Sequence, residues 1–329
     1  MWQGLYGHDA AVEHFRRSIA AGRLASAYLL AGPEGVGKRS FAVRLAKALL
    51  CGQADPAALA PCGRCQSCVL CDAGSHPDLH LVARQRDSKT LKLEQFIGDR
   101  DHRNAEGFCH DFALKPLLGG RRIGIIDDAD WFTPESANSL LKLIEEPPPG
   151  SLLLLLGASR SRQLPTILSR VQVVRLGEIP PGPLRDLILA LGLSPDAASA
   201  TELAARSGGS IARARELADA AAWVVRDRFA TAWRRGDIDP GPLAKEFDEF
   251  IAAAGNVADA RRQRFRQVLG QAVDVLRSSL RDAAAADASP DAALAALDRT
   301  LEAEEQLDRN ANQATLLACW LDDLANIPG

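Results

Sequence analysis

A chain of 329 residues is too long for one small core and implies about two or three domains. Its 47% hydrophobic and 25% charged residues are ordinary for a globular protein, and a net charge of -3 excludes recognition as a nucleic-acid binder on bulk charge alone. The opening MWQGLYGHDAAVEHF lacks the pattern of a signal peptide, and no apolar run is long enough for a membrane span, so the expected location is the cytoplasm.

An amphipathic helix is expected over 9–23, followed by a short apolar strand, AYLLAG (27–32). The Gly-rich turn GPEGVGK leads into the helix RSFAVRLAKALL. A cysteine-rich segment comes next, and then PDLHLVA as a second strand. RIGIIDD (122–128), LLLLLG (152–157) and VQVVRL (171–176) read as three more strands, with helical stretches between most of them. Continuous apolar strands alternating with helices mark a buried parallel sheet covered on both faces. After 176 the strand signals stop, and EIPPGP reads as a linker. Short helices are expected around 184–191 and 201–206, and the turn SGGS (207–210) opens IARARELADA. From about 222 the chain reads as longer helices: WVVRDRFATAWRR, RRQRFRQVLGQAVDVLRSSL, DAALAALDRTLEAEEQL and QATLLACWLDDLANI. The Ala-rich stretch 283–286 reads as a frayed helix end or a loop. The acidic run Glu302, Glu304 and Glu305 reads as a solvated helix face.

Gly32-Pro33-Glu34-Gly35-Val36-Gly37-Lys38 matches the first seven positions of a P-loop, with a strand before it and a helix after. Gly32, Gly35 and Gly37 let backbone N–H groups close around phosphates, and Lys38 adds a cation. The eighth position calls for a hydroxyl to ligate Mg²⁺. Here it is Arg39, which has no acceptor, and Ser40 lies about 100° further around the helix. Asp127 ends the third strand where such proteins hold Mg²⁺, but Asp128 is one methylene shorter than the glutamate that polarises the attacking water in many ATPases. ATP and Mg²⁺ binding are therefore doubtful, and the turn can persist for its shape alone. Thr133 is a good N-cap, Pro134 suits a first helical turn and Pro147 stops the helix between them. Its Leu140, Leu141 and Ile144 should pack on the sheet.

Cys62, Cys65 and Cys68 follow the CxxCxxC spacing of a Cys₄ zinc site closed by a more distant cysteine, with Cys51 and Cys71 as rivals for the fourth place. Such a closed site is structural. No histidine shows metal or triad spacing, and His76 before Pro77 reads as structural.

ANSLLKLIEEPPPG, the P-loop before it and TILSR after it resemble the clamp-loader branch of the AAA+ ATPases. The resemblance covers about the first 215 residues. The helical remainder is similar only loosely, through Arg309-Asn310-Ala311-Asn312 and the Leu-rich helix after it. It implies an α/β AAA+ P-loop core with a parallel sheet over 1–176, carrying a zinc module at about 51–71. A small helical lid over 177–221 and an all-α collar over 222–329 would follow. The zinc ligands implied are Cys51, Cys62, Cys65 and Cys68. Thr166-Ile167-Leu168-Ser169-Arg170 corresponds to the family's Ser-Arg-Cys motif, with Val171 for the cysteine. In the family this arginine reaches ATP on the neighbouring subunit, which makes Arg170, beside Ser169, an expected arginine finger in trans; a salt-bridged surface arginine is the plainer reading. Ala212 stands where ATPase members place a second-sensor arginine, and Ala158 and Ser159 make an unconvincing first sensor. The implied role is that of a non-motor clamp-loader subunit. Its partners would be gamma/tau ATPase subunits, a delta subunit and, indirectly, the sliding clamp and primer-template DNA. The alternatives are an active gamma/tau-type ATPase, and a zinc-ribbon nucleic-acid-binding protein with a vestigial P-loop.

Overall fold

The computed structural model describes every residue except 1, 86, 87, 89, 119, 256, 287, 310, 328 and 329. Asn310 of the Arg-Asn-Ala-Asn stretch therefore lies outside the described residues. The chain divides into two compact units, Met1–Ala214 and Arg215–Gly329.

The first unit holds five strands: β1 (Ala27–Ala31), β2 (Leu79–Val82), β3 (Arg122–Ile126), β4 (Ser151–Gly157) and β5 (Gln172–Arg175). They form one parallel sheet in the order β2-β3-β4-β1-β5. Its helices are α1 (Asp9–Ala20), α2 (Lys38–Leu50), α3 (Gln66–Asp72), α4 (Glu94–Ile97), α5 (Phe108–Ala113), α6 (Pro134–Glu145), α7 (Pro165–Leu168), α8 (Pro181–Ala190) and α9 (Ala197–Arg206). A last helix, α10 (Ile211–Leu217), runs past the unit's end.

Every residue of β1, β3 and β4 is buried, as continuous apolar runs require when both faces are covered. Alternation along each strand then divides the core. Tyr28, Leu30, Ile123, Ile125, Leu152, Leu154 and Leu156 join Phe15 of α1 with Phe41 and Leu45 of α2. Leu29, Ile126, Leu153 and Leu155 meet Phe96, Phe108, Phe112, Leu140 and Ile144 on the other face. The α/β class with a parallel sheet is thus as expected.

Helix α6 starts and stops where its sequence indicates. Thr133 accepts a hydrogen bond from the Ser136 N–H at 3.2 Å, and Ser136 Oγ accepts one from the Thr133 N–H at 2.9 Å, a reciprocal cap. Its buried face is Ser136, Ala137, Leu140 and Ile144, whereas Leu141 flanks the core and is only partly covered.

The second unit is helical: α11 (Ala220–Arg235), α12 (Pro240–Ala252), α13 (Ala258–Ala285), α14 (Asp291–Asp308) and α15 (Gln313–Ala325). Helix α12 is a correction to the four long helices expected. Asp239 caps it through the Gly241 N–H at 3.1 Å, Pro240 fills its first turn, and Leu243, Phe247, Phe250 and Ile251 form its buried stripe. The 283–286 stretch is helical to Ala285 and ends there. Trp320 lies fully buried at the centre, with ring centroids 5.8 Å from Phe229 and 6.4 Å from Phe247. Its indole N–H donates to Thr300 Oγ1 at 3.1 Å, so no polar atom of the tryptophan is stranded in the core. Of the acidic run, Glu302 and Glu305 are exposed, while Glu304 is half-buried.

Candidate functional site

Between β1 and α2 the chain makes the turn its glycines predict. Gly35 and Gly37 take φ of +75° and +95°, which side chains with a Cβ rarely adopt. The Gly32 N–H donates to Gly157 O at 3.1 Å, which ties the turn to the end of β4. Lys38 opens α2, and its ammonium donates to the loop's own carbonyls, Gly32 O at 2.8 Å and Pro33 O at 2.9 Å. Burial draws the Lys38 pKa below its usual value, against the attraction of Asp127, Asp130, Glu34 and Asp128. The stretch around Ser210 closes against the turn. A Cβ on Gly35 would lie 2.2 Å from Ser210 Oγ and 2.6 Å from Ala212 Cβ, and the Ile211 N–H donates to Gly35 O at 3.1 Å. Ala212 therefore packs directly on the Gly-rich turn.

The acids beyond β3 are engaged within the chain. Asp127 lies 3.7 Å from the Arg39 guanidinium, so the residue that replaces the Mg²⁺-ligating hydroxyl also pairs with the carboxylate expected to hold that ion. Burial raises the Asp127 pKa, against the Asp128 N–H bonded to its carboxylate and the charges of Arg39 and Lys38. Asp128 sits in a left-handed backbone conformation (φ +58°), 3.7 Å from Arg84, whose guanidinium lies over the Trp131 ring. Asp130, a third acid that the sequence reading passed over, accepts from the Ala158 N–H and from Gln163 Nε2, each at 2.5 Å. Ser159 Oγ pairs with Ser161 Oγ at 2.9 Å.

Ser169 and Arg170 follow the short helix α7, which Ile167 anchors in the core. Arg170 Nε donates to Glu145 Oε1 at 2.6 Å, and its Nη1 donates to Thr166 O and Ser169 Oγ, both at 2.9 Å. The side chain stays 36% exposed. Both expected residues are together, and Glu145 is the partner the sequence reading missed. The available signal was a carboxylate on the last helical residue before Pro147 and Pro148.

The third centre lies between α2 and α3. Cys51 follows α2 directly, Cys65 caps α3 and Cys68 sits within it. The sulfurs of Cys51, Cys62, Cys65 and Cys68 all lie within 4.8 Å of one another, with Cys51–Cys65 at 3.9 Å and Cys62–Cys68 at 4.0 Å. Tetrahedral zinc with Zn–S bonds near 2.3 Å requires sulfurs about 3.8 Å apart, and the cluster fits. The Cys62 N–H points at Cys51 Sγ (3.4 Å) and the Cys65 N–H at Cys62 Sγ (3.3 Å), the donors a thiolate needs. The N–H groups of Arg64 and Cys65 pull the Cys62 pKa down to about 6. Cys71 is no rival: its sulfur is outside the cluster, and it is buried in the α1–α2 side of the core. The four clustered cysteines are a candidate metal centre, and all four of their sulfurs face one another.

Among the described residues no helix is long and apolar enough to cross a membrane. Residues 7–180, more than half of the chain, match the family model described as DNA polymerase III, delta subunit. The DNA polymerase III subunit delta' of Pseudomonas aeruginosa is 39% identical over 194 residues, which are 59% of this chain and 56% of that protein. The Bacillus subtilis subunit delta' is 34% identical over 202 residues, 61% of this chain and 56% of that protein. A DNA polymerase III subunit gamma/tau of Mycobacterium bovis is 33% identical over 172 residues, 52% of this chain and 28% of that protein. The chain thus spans little more than half the length of the two delta' relatives. Residues 7–180 build the whole sheet and carry the Gly-rich turn, the cysteine cluster and Arg170, and over this stretch the chain belongs to the DNA polymerase III delta subunit family.

Proposed function

We propose that this chain is a non-motor, delta-prime-type subunit of the DNA polymerase III clamp loader, which helps to load the sliding clamp onto primed DNA and lends Arg170 in trans to an ATPase neighbour. The observation that carries the reading is the Arg39–Asp127 pair. A cation built into the chain sits on the carboxylate that hydrolysis would need for Mg²⁺. Arg39 also takes the position where a hydroxyl would ligate that ion. Arg170, by contrast, is held in place and exposed. A guanidinium brought to a neighbour's transferring phosphoryl group stabilises the charge that develops there.

In this reading the chain divides into an AAA+ core over 1–176, a lid over 177–221 and a collar over 222–329 that holds the ring together. The partners are gamma/tau ATPase subunits and a delta subunit, with the clamp and primer-template DNA reached through the assembly, in the cytoplasm at the nucleoid. Any direct DNA contact should be to phosphates and weaken with salt. The cysteine cluster holds structural zinc. With four thiolates it has no open position for a substrate or water.

Two measurements test the proposal. The purified chain should turn over no Mg²⁺-ATP; vigorous turnover would make it a gamma/tau-type motor instead. In the reconstituted complex, Arg170→Ala should depress DNA-stimulated ATPase while the subunit still assembles. In GTPase systems such an arginine contributes roughly 10³–10⁵ in rate at the site it serves. Unchanged turnover would reject the trans role.

A further inference from the structure

Arg170 reaches the surface from a short helix, and an arginine there has many rotamers to choose from. Here the choice is made by three acceptors on its own chain. Glu145 takes Nε at 2.6 Å, while Thr166 O and Ser169 Oγ both take Nη1 at 2.9 Å. Three of the five guanidinium N–H donors are thereby used. The two on Nη2 have no partner among the described residues, and the side chain remains 36% exposed. The anchors on both sides are firm. Ile167 fixes α7 in the core, and Arg170 N donates to Ile167 O at 3.0 Å. Glu145 is the last residue of α6, whose Leu140 and Ile144 are buried against the sheet and whose path is stopped by Pro147 and Pro148. The carboxylate therefore stands at a set height beside α7.

We infer that Glu145 is a positioning residue for the arginine finger: it holds the guanidinium by its Nε so that the Nη2 edge faces outward to the neighbour's triphosphate. The inference rests on the trans role proposed for Arg170. Its physical basis is orientation. An exposed ion pair adds little stability, but a guanidinium pre-ordered by hydrogen bonds to fixed acceptors loses less freedom when it meets phosphate. Because the hydrogen bond matters more than the charge, a neutral amide of the same shape should do most of the work.

The experiment compares Glu145→Ala, Glu145→Gln, Arg170→Ala and the Glu145→Ala/Arg170→Ala pair in the reconstituted clamp loader, by DNA-stimulated ATPase. Glu145→Ala should lower kcat, with KM for ATP changed less than about 2-fold, because an interaction felt only in the transition state is lost. Glu145→Gln should stay within about 2-fold of wild type, a rescue that a charge-dependent role would not allow. The double variant should be no slower than Arg170→Ala alone, since two residues that act through one group are not additive. Wild-type or faster turnover in Glu145→Ala overturns the inference, as does a double variant slower than Arg170→Ala, or a Glu145→Gln as slow as Glu145→Ala. Full activity in Arg170→Ala would instead reject the trans role itself, and this inference with it. Assembly and melting temperature of each variant separate these outcomes from misfolding.

Discussion

Arg39 follows Lys38 at the start of α2, and its guanidinium ends 3.7 Å from Asp127, where a hydroxyl and a metal ion would otherwise meet that acid. The pair is long and Arg39 is half-exposed, so it returns little of what burying the carboxylate costs. The raised pKa of Asp127 reports that imbalance. A carboxyl whose pKa is higher folded than unfolded stabilises the fold only while protonated; its contribution is lost as pH rises through the folded value. Asp127→Asn removes this titration. We expect the variant to melt above wild type at neutral pH, with the difference shrinking as the pH falls towards the ordinary carboxylate range. Thermal melts across that range check it, and a variant less stable at neutral pH would show that the ion pair outweighs the burial.

The cysteine segment shows how an element chooses among identical side chains. Cys62, Cys65, Cys68 and Cys71 recur every three residues, and spacing alone cannot tell the last from the others. Helix α3 begins at Gln66, so Cys68 and Cys71 sit one turn apart on it. The first turns toward the cluster and the second toward the core. The end of α2 supplies Cys51 as the fourth thiol. Cys51→Ser should therefore lose bound zinc, and Cys71→Ser should retain one equivalent, as measured by elemental analysis of the purified variants. Structural zinc in small peptides contributes roughly 10–16 kcal/mol of apparent binding energy, so a chelator should also lower the melting temperature of wild type and of Cys71→Ser. Metal lost from Cys71→Ser and kept by Cys51→Ser would reverse the assignment.

The second unit has a core of its own, built by α11–α15 around Trp320. Trp320→Ala removes a fully buried indole and leaves Thr300 Oγ1 without the N–H it accepts. Such truncations cost about 3–5 kcal/mol. The loss should appear as a lowered transition of the helical unit in denaturant melts followed by circular dichroism. An unchanged midpoint would mean that this tryptophan is not central to that core.

Much of this protein is legible along the chain because the signals are local. The apolar runs of β1, β3 and β4 become strands because a strand covered on both faces has no polar side to show, whereas β2 and β5, at the sheet's edges, are only partly covered. GPEGVGK folds as a turn because glycine alone takes its backbone angles readily. Thr133, Pro134 and Pro147 bound α6 through hydrogen bonds and sterics within a few residues. Helix α12 was obscured by the two prolines at its start, which suit a first turn as well as a linker.

The pairings needed the folded chain. Nothing in residue order joins Glu145 to Arg170, and although the motifs assign Arg39, Asp127 and Ala212 to one candidate site, the Arg39–Asp127 ion pair and the packing of Ala212 on Gly35 are seen only in the fold. Each pair is brought together by the sheet order β2-β3-β4-β1-β5 or by the helices packed on it. Backbone preference is set by neighbours in the chain, whereas the partner of a charge or a thiol is set by whatever distant segment burial brings within a few ångströms.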